Sequence, residues 1–216
     1  MRRAIGFLLT AAGAGLLLFA GVGYARGYFT RERAEARWKE LASAEGDSAA
    51  RLGPADSSTS YEVVEAAPGD PVGRIMIPAV GLDEIVLEGV AEAQLEAGPG
   101  HVPETVLPGE PGNSVISAHR DRHFHSLGRV TVGDTVITET RAGRESWVVT
   151  QLRVAEAGRP AIYPTSDPTL TLTTCWPIRY VGPAPDRLLV TARPLTARPL
   201  TARPLTARPL TARPLK

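Results

Sequence analysis

Short runs with alternating or β-branched residues, separated by glycine and proline, fill most of the chain after residue 72. No long stretch with helical periodicity lies between them. This pattern predicts an all-β domain, either a barrel or a sandwich, with one helical turn in AEAQLEAG at 91–98. The runs are GRIMIP 73–78, EIVLEG 84–89, NSVISAH 113–119, DTVITET 134–140, ESWVVTQLRV 145–154, LTLTTC 170–175 and RLLVTA 187–192.

An apolar segment without charged side chains covers residues 4–25, after a short N-terminus, 1–3, that we expect in the cytoplasm. A helix of this length spans roughly 33 Å, enough to cross a hydrocarbon core of about 30 Å. We therefore expect one transmembrane anchor. A cleaved signal peptide is the alternative, because Arg2 and Arg3 precede the segment and GYA at 23–25 resembles a cleavage site. Positive charges are more numerous after the segment than before it, so charge counting alone would leave the folded domain in the cytoplasm.

Residues 26–71 are interpreted as a helical stalk followed by a flexible linker. Within RERAEARWKELASAE at 31–45, Ala34, Trp38 and Leu41 form a narrow apolar stripe at helical spacing. The part after this helix is rich in Ser, Ala, Asp, Gly and Pro, a composition typical of linkers. We expect this segment to lift the folded domain off the membrane.

The C-terminus repeats the motif TARPL five times from Thr191 to Leu215. A period of five with proline in every copy suits neither an ordinary helix nor a paired strand. We expect a disordered basic tail at 196–216 and place the folded domain at 72–195.

Cys175 is the only cysteine in the chain, so no disulfide can form within it. In the alternating LTLTTC run, Leu170, Leu172 and Thr174 point to one face, whereas Thr171, Thr173 and Cys175 point to the other. If the leucines face the core, the thiol faces a polar groove, and Trp176 and Pro177 then end the strand and leave the sulfur at its rim. The residue is then either a reactive nucleophile or an inert, partly buried thiol.

A cysteine nucleophile needs an imidazole nearby, because a free thiol is mostly protonated at neutral pH. His119 ends the alternating run NSVISAH and precedes the charged turn RDRHF, whereas His101 lies elsewhere. Together with His123 and His125, His119 also offers an alternative set of ligands for Zn²⁺. Only Asp121 adds an obvious further ligand, so we interpret His123 and His125 as surface loop residues and expect no metal and no cofactor.

Three motifs in this order resemble the sortases, the membrane-anchored cysteine transpeptidases of bacterial surfaces. They are GNSVISAHRDRHFHSL, TLTTC and DRLLV, and GRIMIPAVGLDEIVLEG upstream is also similar to the family. The resemblance covers roughly residues 72–195. It implies a closed β-barrel of about seven to eight short strands with short helices. The compact domain, without an obvious lid motif or second membrane helix, looks most like class D.

By this resemblance, Cys175 is the nucleophile, His119 the general acid and base, and Arg187 the residue that stabilises the oxyanion or the substrate. Arg179 is the competitor for the arginine role, and it lies in the loop just after the cysteine. The resemblance implies cleavage of an LPxTx-like C-terminal sorting signal through a thioacyl-enzyme. The acyl group then passes to a cell-wall or pilin amine.

The expected partners are secreted proteins with a sorting signal, an amine acceptor, and the lipid bilayer through 4–25; no nucleic acid is expected. The catalytic domain is expected outside the cytoplasm, on a single-pass anchor. Two alternatives remain: a thiol protease or carboxypeptidase that transfers the acyl group to water, and a membrane-tethered β-barrel that only binds peptides or glycans.

Overall fold

The computed structural model describes residues 66–158 and 162–195, together with helical residues 6, 10, 12–19, 21, 31–41 and 43. Within these residues, eight strands close into a barrel in the order β1-β2-β3-β4-β7-β8-β6-β5. The strands are β1 Pro71–Ile77, β2 Leu82–Glu88, β3 Gly100–His101, β4 Asn113–Ser117, β5 Thr135–Thr140, β6 Gly143–Glu156, β7 Thr169–Trp176 and β8 Asp186–Pro194. One short helix, α1 Glu92–Ala97, and two 3-10 turns, Pro78–Val80 and His125–Arg129, connect them.

Each of the seven predicted runs forms a strand, and the expected helical turn forms α1. The closed barrel is confirmed, because β5 pairs with β1 and leaves no open edge in the described sheet. The eighth strand, β3, was not predicted, since two residues carry no periodicity. It is recognisable only from its pairing with β2 and β4.

The strands form because their alternate side chains fill one continuous interior. Ile75, Ile116, Leu172 and Val190 are fully buried there. Among the described residues, Trp147 is the largest fully buried side chain, and its indole N–H donates to Thr138 Oγ1 at 2.8 Å. Burial of each large apolar side chain contributes about 1.5–3 kcal/mol. The core therefore stabilises the barrel without a disulfide.

The short strand β3 depends on a close backbone approach at Gly100. A Cβ added there would collide with the carbonyl oxygen of Gly89, which belongs to the backbone and cannot turn away. Glycine has no Cβ, so it admits the parallel pairing of Leu87 with Gly100. This contact closes the barrel between β2 and β4.

The predicted stalk helix lies against the barrel in the described residues. Residues 31–41 are helical, and Ala34 and Trp38 are each only 8% exposed. Ala34 packs in a small cluster with Leu87 and Ala97. Arg31 Nη2 also pairs with Glu84 Oε2 at 3.4 Å. The apolar stripe thus faces the protein, because burying it on the barrel removes it from water.

The predictions for the two ends of the chain fall mostly on residues outside the described part. Residues 12–19 of the expected anchor 4–25 are helical. Among the residues that the structure describes, we find no helix with both the length and the apolarity needed to cross a bilayer. The tail predicted at 196–216 lies entirely outside the described residues.

Candidate active site

Two neighbouring strands bring Cys175 and Arg187 together at one end of the barrel. In the antiparallel pair β7–β8, Cys175 is the direct partner of Arg187. The guanidinium Nη1 donates a hydrogen bond to Cys175 Sγ. The thiol is partly exposed and the arginine exposed, so a substrate can reach both. A permanent positive charge therefore lies beside the sulfur.

His119 reaches the same end of the barrel through the parallel pair β4–β7. Ser117 is the partner of Thr173. One residue further, Ala118 N donates to Thr173 O at 3.2 Å, and Thr174 Oγ1 donates to Ala118 O at 2.7 Å. β4 ends at Ser117, and the same register extended by two residues puts position 119 opposite Cys175.

The same register decides which face the two side chains occupy. Ile116 and Ala118 belong to the barrel core, so alternation places His119 on the outer face. Leu172 is also a core residue, and alternation places Cys175 outside as well. The two residues therefore share an edge and a face, although 56 residues separate them in the sequence.

β7 is buried on both faces except at its end. The leucines face the core, as the alternation predicts, but Thr171 and Thr173 are buried too. Thr171 Oγ1 donates to Asn113 Oδ1 at 2.8 Å across to β4. The threonine face is therefore not an open polar groove along its length. Only Cys175 and Trp176, at the end of the strand, are partly exposed.

The structure separates the two arginine candidates. Arg187 contacts the sulfur, whereas Arg179 lies exposed in the loop between β7 and β8. The catalytic roles assigned to Cys175, His119 and Arg187 remain predictions.

The other histidines have separate environments. His101 is buried, with Nδ1 2.9 Å from Glu88 Oε2 and Nε2 3.0 Å from Val106 O. His123 Nδ1 lies 3.3 Å from Glu84 Oε2. His125 is exposed at the start of a 3-10 turn. Among the residues that the structure describes, no group of three or more His, Cys, Asp or Glu side chains is arranged to hold a metal ion.

Two contacts at the site were missed by the sequence reasoning. Glu92 Oε1 of α1 lies 3.2 Å from His119 Nε2. Arg120 Nη2 donates to the carbonyl oxygens of Tyr180, at 3.0 Å, and Gly182, at 2.7 Å. The Arg120 guanidinium also lies 5.7 Å from the centroid of the Tyr180 ring. Because these contacts join segments that are far apart in the chain, no local sequence pattern predicts them.

The arrangement allows nucleophilic acyl transfer. It combines a partly exposed thiol, a fixed cation beside it and an imidazole just after the end of the neighbouring strand, which are the groups that a cysteine nucleophile requires.

Comparison with known proteins gives the class to which this fold and site belong. The chain matches the sortase domain family over residues 75–195. It is 27% identical to Sortase D of Bacillus subtilis strain 168 over 195 residues, which cover 88% of this chain and 97% of that protein. The chain belongs to the sortase family, whose members are cysteine transpeptidases. Within the family it is class D-like.

Solved structures agree with this assignment. A Clostridium perfringens Sortase D5 transpeptidase superimposes with a TM-score of 0.60 at 21% identity, over 79% of this chain and 99% of that one. Sortase C1 of Streptococcus agalactiae gives 0.55 at 30% identity, over 76% and 90%. The first similarity shows the fold alone, whereas the second also supports the family.

Proposed function

We propose that this chain is a membrane-anchored transpeptidase with its catalytic domain outside the cytoplasm. It cleaves an LPxTx-like sorting signal through a thioacyl-enzyme and transfers the protein to a cell-wall or pilin amine. The observation that carries the proposal is the contact between Arg187 and Cys175 at the barrel end where β4 delivers His119.

In the acylation step, the Cys175 thiolate attacks the scissile carbonyl carbon and forms a C–S bond. The carbonyl electrons move to oxygen, and Arg187 stabilises that oxyanion by donating hydrogen bonds. The oxyanion collapses and the C–N bond breaks. His119, as imidazolium, gives its proton to the departing amine. The products are a thioester on Cys175 and a neutral His119.

In the transfer step, an acceptor amine attacks the thioester carbonyl. Neutral His119 takes the proton that the amine nitrogen loses, and the C–S bond breaks to regenerate the thiolate. A new amide bond is the product. Water in place of the amine would give a carboxylic acid, which is the outcome of the alternative protease function.

The test is to incubate the purified full-length chain, in detergent, with a library of LPxTx-like peptides and to identify the products by mass with and without an added amine. We expect amide products that depend on the amine and on Cys175. Only hydrolysed peptide in excess amine would establish the protease alternative. Peptide binding without any cleavage, equal in wild type and Cys175→Ala, would establish the binding-module alternative.

The proposed orientation has its own test, because Cys175 is the only thiol in the chain. A membrane-impermeant maleimide added to intact cells, with the wall made permeable, should label Cys175. Labelling only after the membrane is disrupted would place the domain in the cytoplasm. The matched control is Cys175→Ala, which should show no labelling in either case.

A further inference from the structure

The imidazole of His119 has a carboxylate partner in the helix α1. Glu92 Oε1 lies 3.2 Å from His119 Nε2, and the two residues are separated by 27 positions in the chain. The His119 side chain is 29% exposed and that of Glu92 73% exposed. Both groups are therefore open to solvent, and the contact joins α1 to the segment that carries the imidazole.

α1 is held in place by contacts at its other end. Ala97 is buried against Leu87 in the cluster that also contains Ala34 of the docked helix. His123, four residues after His119, places its Nε2 3.4 Å from the carbonyl oxygen of Glu96. The helix therefore meets the His119 segment at two points, and its position on the barrel brings residue 92 within reach of His119.

The chemistry of this contact selects one form of the imidazole. An ionised carboxylate only accepts hydrogen bonds, so Nε2 must carry the hydrogen that it donates to Glu92. In the neutral ring the lone pair then lies on Nδ1. Among the described residues, Nδ1 of His119 has no hydrogen-bond partner. That nitrogen is left available for proton exchange.

We propose that Glu92 is a positioning residue: it orients the His119 ring through Nε2–H, so that Nδ1 exchanges protons with the substrate. This inference rests on the acid–base role of His119 in the proposed function. As imidazolium, His119 gives its Nδ1 proton to the leaving amine, and as neutral imidazole it takes the proton of the acceptor amine at Nδ1. Nε2–H remains bonded to Glu92 throughout, as the orienting acid does in other nucleophile–base–acid triads.

The test records the ¹⁵N shifts of the full-length chain labelled at histidine, at a pH where the rings are neutral, with His119 assigned by its loss in His119→Gln. We expect His119 to be entirely in the Nε2–H form in the wild type. Glu92→Ala should gain a measurable Nδ1–H fraction, whereas Glu92→Gln, whose side-chain oxygen still accepts, should not. The matched control is Glu96→Ala in the same helix, where the backbone carbonyl rather than the side chain meets the loop.

A kinetic measurement complements the spectra. Glu92→Ala should lower kcat by about two- to fivefold, the size expected of an exposed ion pair, and leave KM unchanged. Glu92→Gln, whose side-chain oxygen still accepts from Nε2–H, should recover most of the wild-type kcat, and Glu96→Ala should match the wild type. An Nδ1–H form already present in the wild type, or tautomer populations unaffected by Glu92→Ala, would overturn the proposal. Because the spectra need no turnover, they decide it even if no peptide is cleaved.

Discussion

Replacement of Arg187 by alanine removes the guanidinium that donates to Cys175 Sγ. The side chain is exposed, and the pairing of position 187 with Cys175 is a backbone pairing that alanine can keep. The barrel should therefore fold normally. In the proposed mechanism, what is lost is a fixed positive charge beside the oxygen that becomes negative in the tetrahedral intermediate.

The exposure of Arg187 determines the size of the effect. Removing a donor from a preorganised oxyanion site costs about 2.7–4 kcal/mol, or roughly 10²–10³ in kcat. Solvent screens part of the field of an exposed guanidinium, so we expect the low end of this range, about 10²-fold. Lysine keeps the charge but loses the planar fork of donors, so Arg187→Lys should retain about a tenth of wild-type activity.

The assay is single-turnover acylation of Cys175 by a sorting-signal peptide, followed by intact mass, with circular dichroism to check the fold. Arg179→Ala is the matched control, because Arg179 is an exposed arginine of the adjoining loop. We expect this control to stay within about twofold of the wild type. An Arg187→Ala variant that acylates as fast as the wild type, or a control that loses as much, would refute the reasoning.

Three further outcomes concern stability. Thr138→Val leaves the buried Trp147 N–H without its acceptor and should lower the free energy of unfolding by about 1–3 kcal/mol in urea titrations. The control Thr140→Val, at a partly exposed position of the same strand, should keep the wild-type free energy of unfolding. Gly100→Ala forces a Cβ onto a backbone carbonyl and should cost about 1–3 kcal/mol or more; an unchanged urea midpoint would contradict this packing. Cys175→Ala removes a partly exposed sulfur and should change stability by less than about 1 kcal/mol, so a large decrease in thermal midpoint would argue for a structural cysteine.

Much of the barrel could be predicted because strands with one buried face carry a period of two. The run LTLTTC shows this at β7, where Leu170 and Leu172 enter the core as expected. The threonine face is less open than the expected polar groove. β7 lies between β4 and β8, and Thr171 and Thr173 are buried there, which alternation within one strand cannot reveal.

The remaining features depend on contacts between distant segments. β3 consists of two residues whose pairing requires Gly100 to approach Gly89. The stripe containing Ala34 is one face of a helix, as its spacing predicts, but the spacing does not predict that it packs against Leu87 and Ala97 of the barrel domain. An apolar stripe indicates which side chains of a helix are buried, but it does not indicate the surface against which they pack.

The order of residues is enough to identify the chemical groups and the strands that carry them: a thiol and an imidazole, each at the end of an alternating run, and an arginine at the start of the last strand. The folded barrel is needed to show that Arg187 rather than Arg179 contacts the sulfur, and that Glu92 meets His119. The difference lies in the distance along the chain over which each interaction acts. Alternation and helical spacing act between neighbours in the chain, whereas the register of β4, β7 and β8 is set by pairing across the closed barrel.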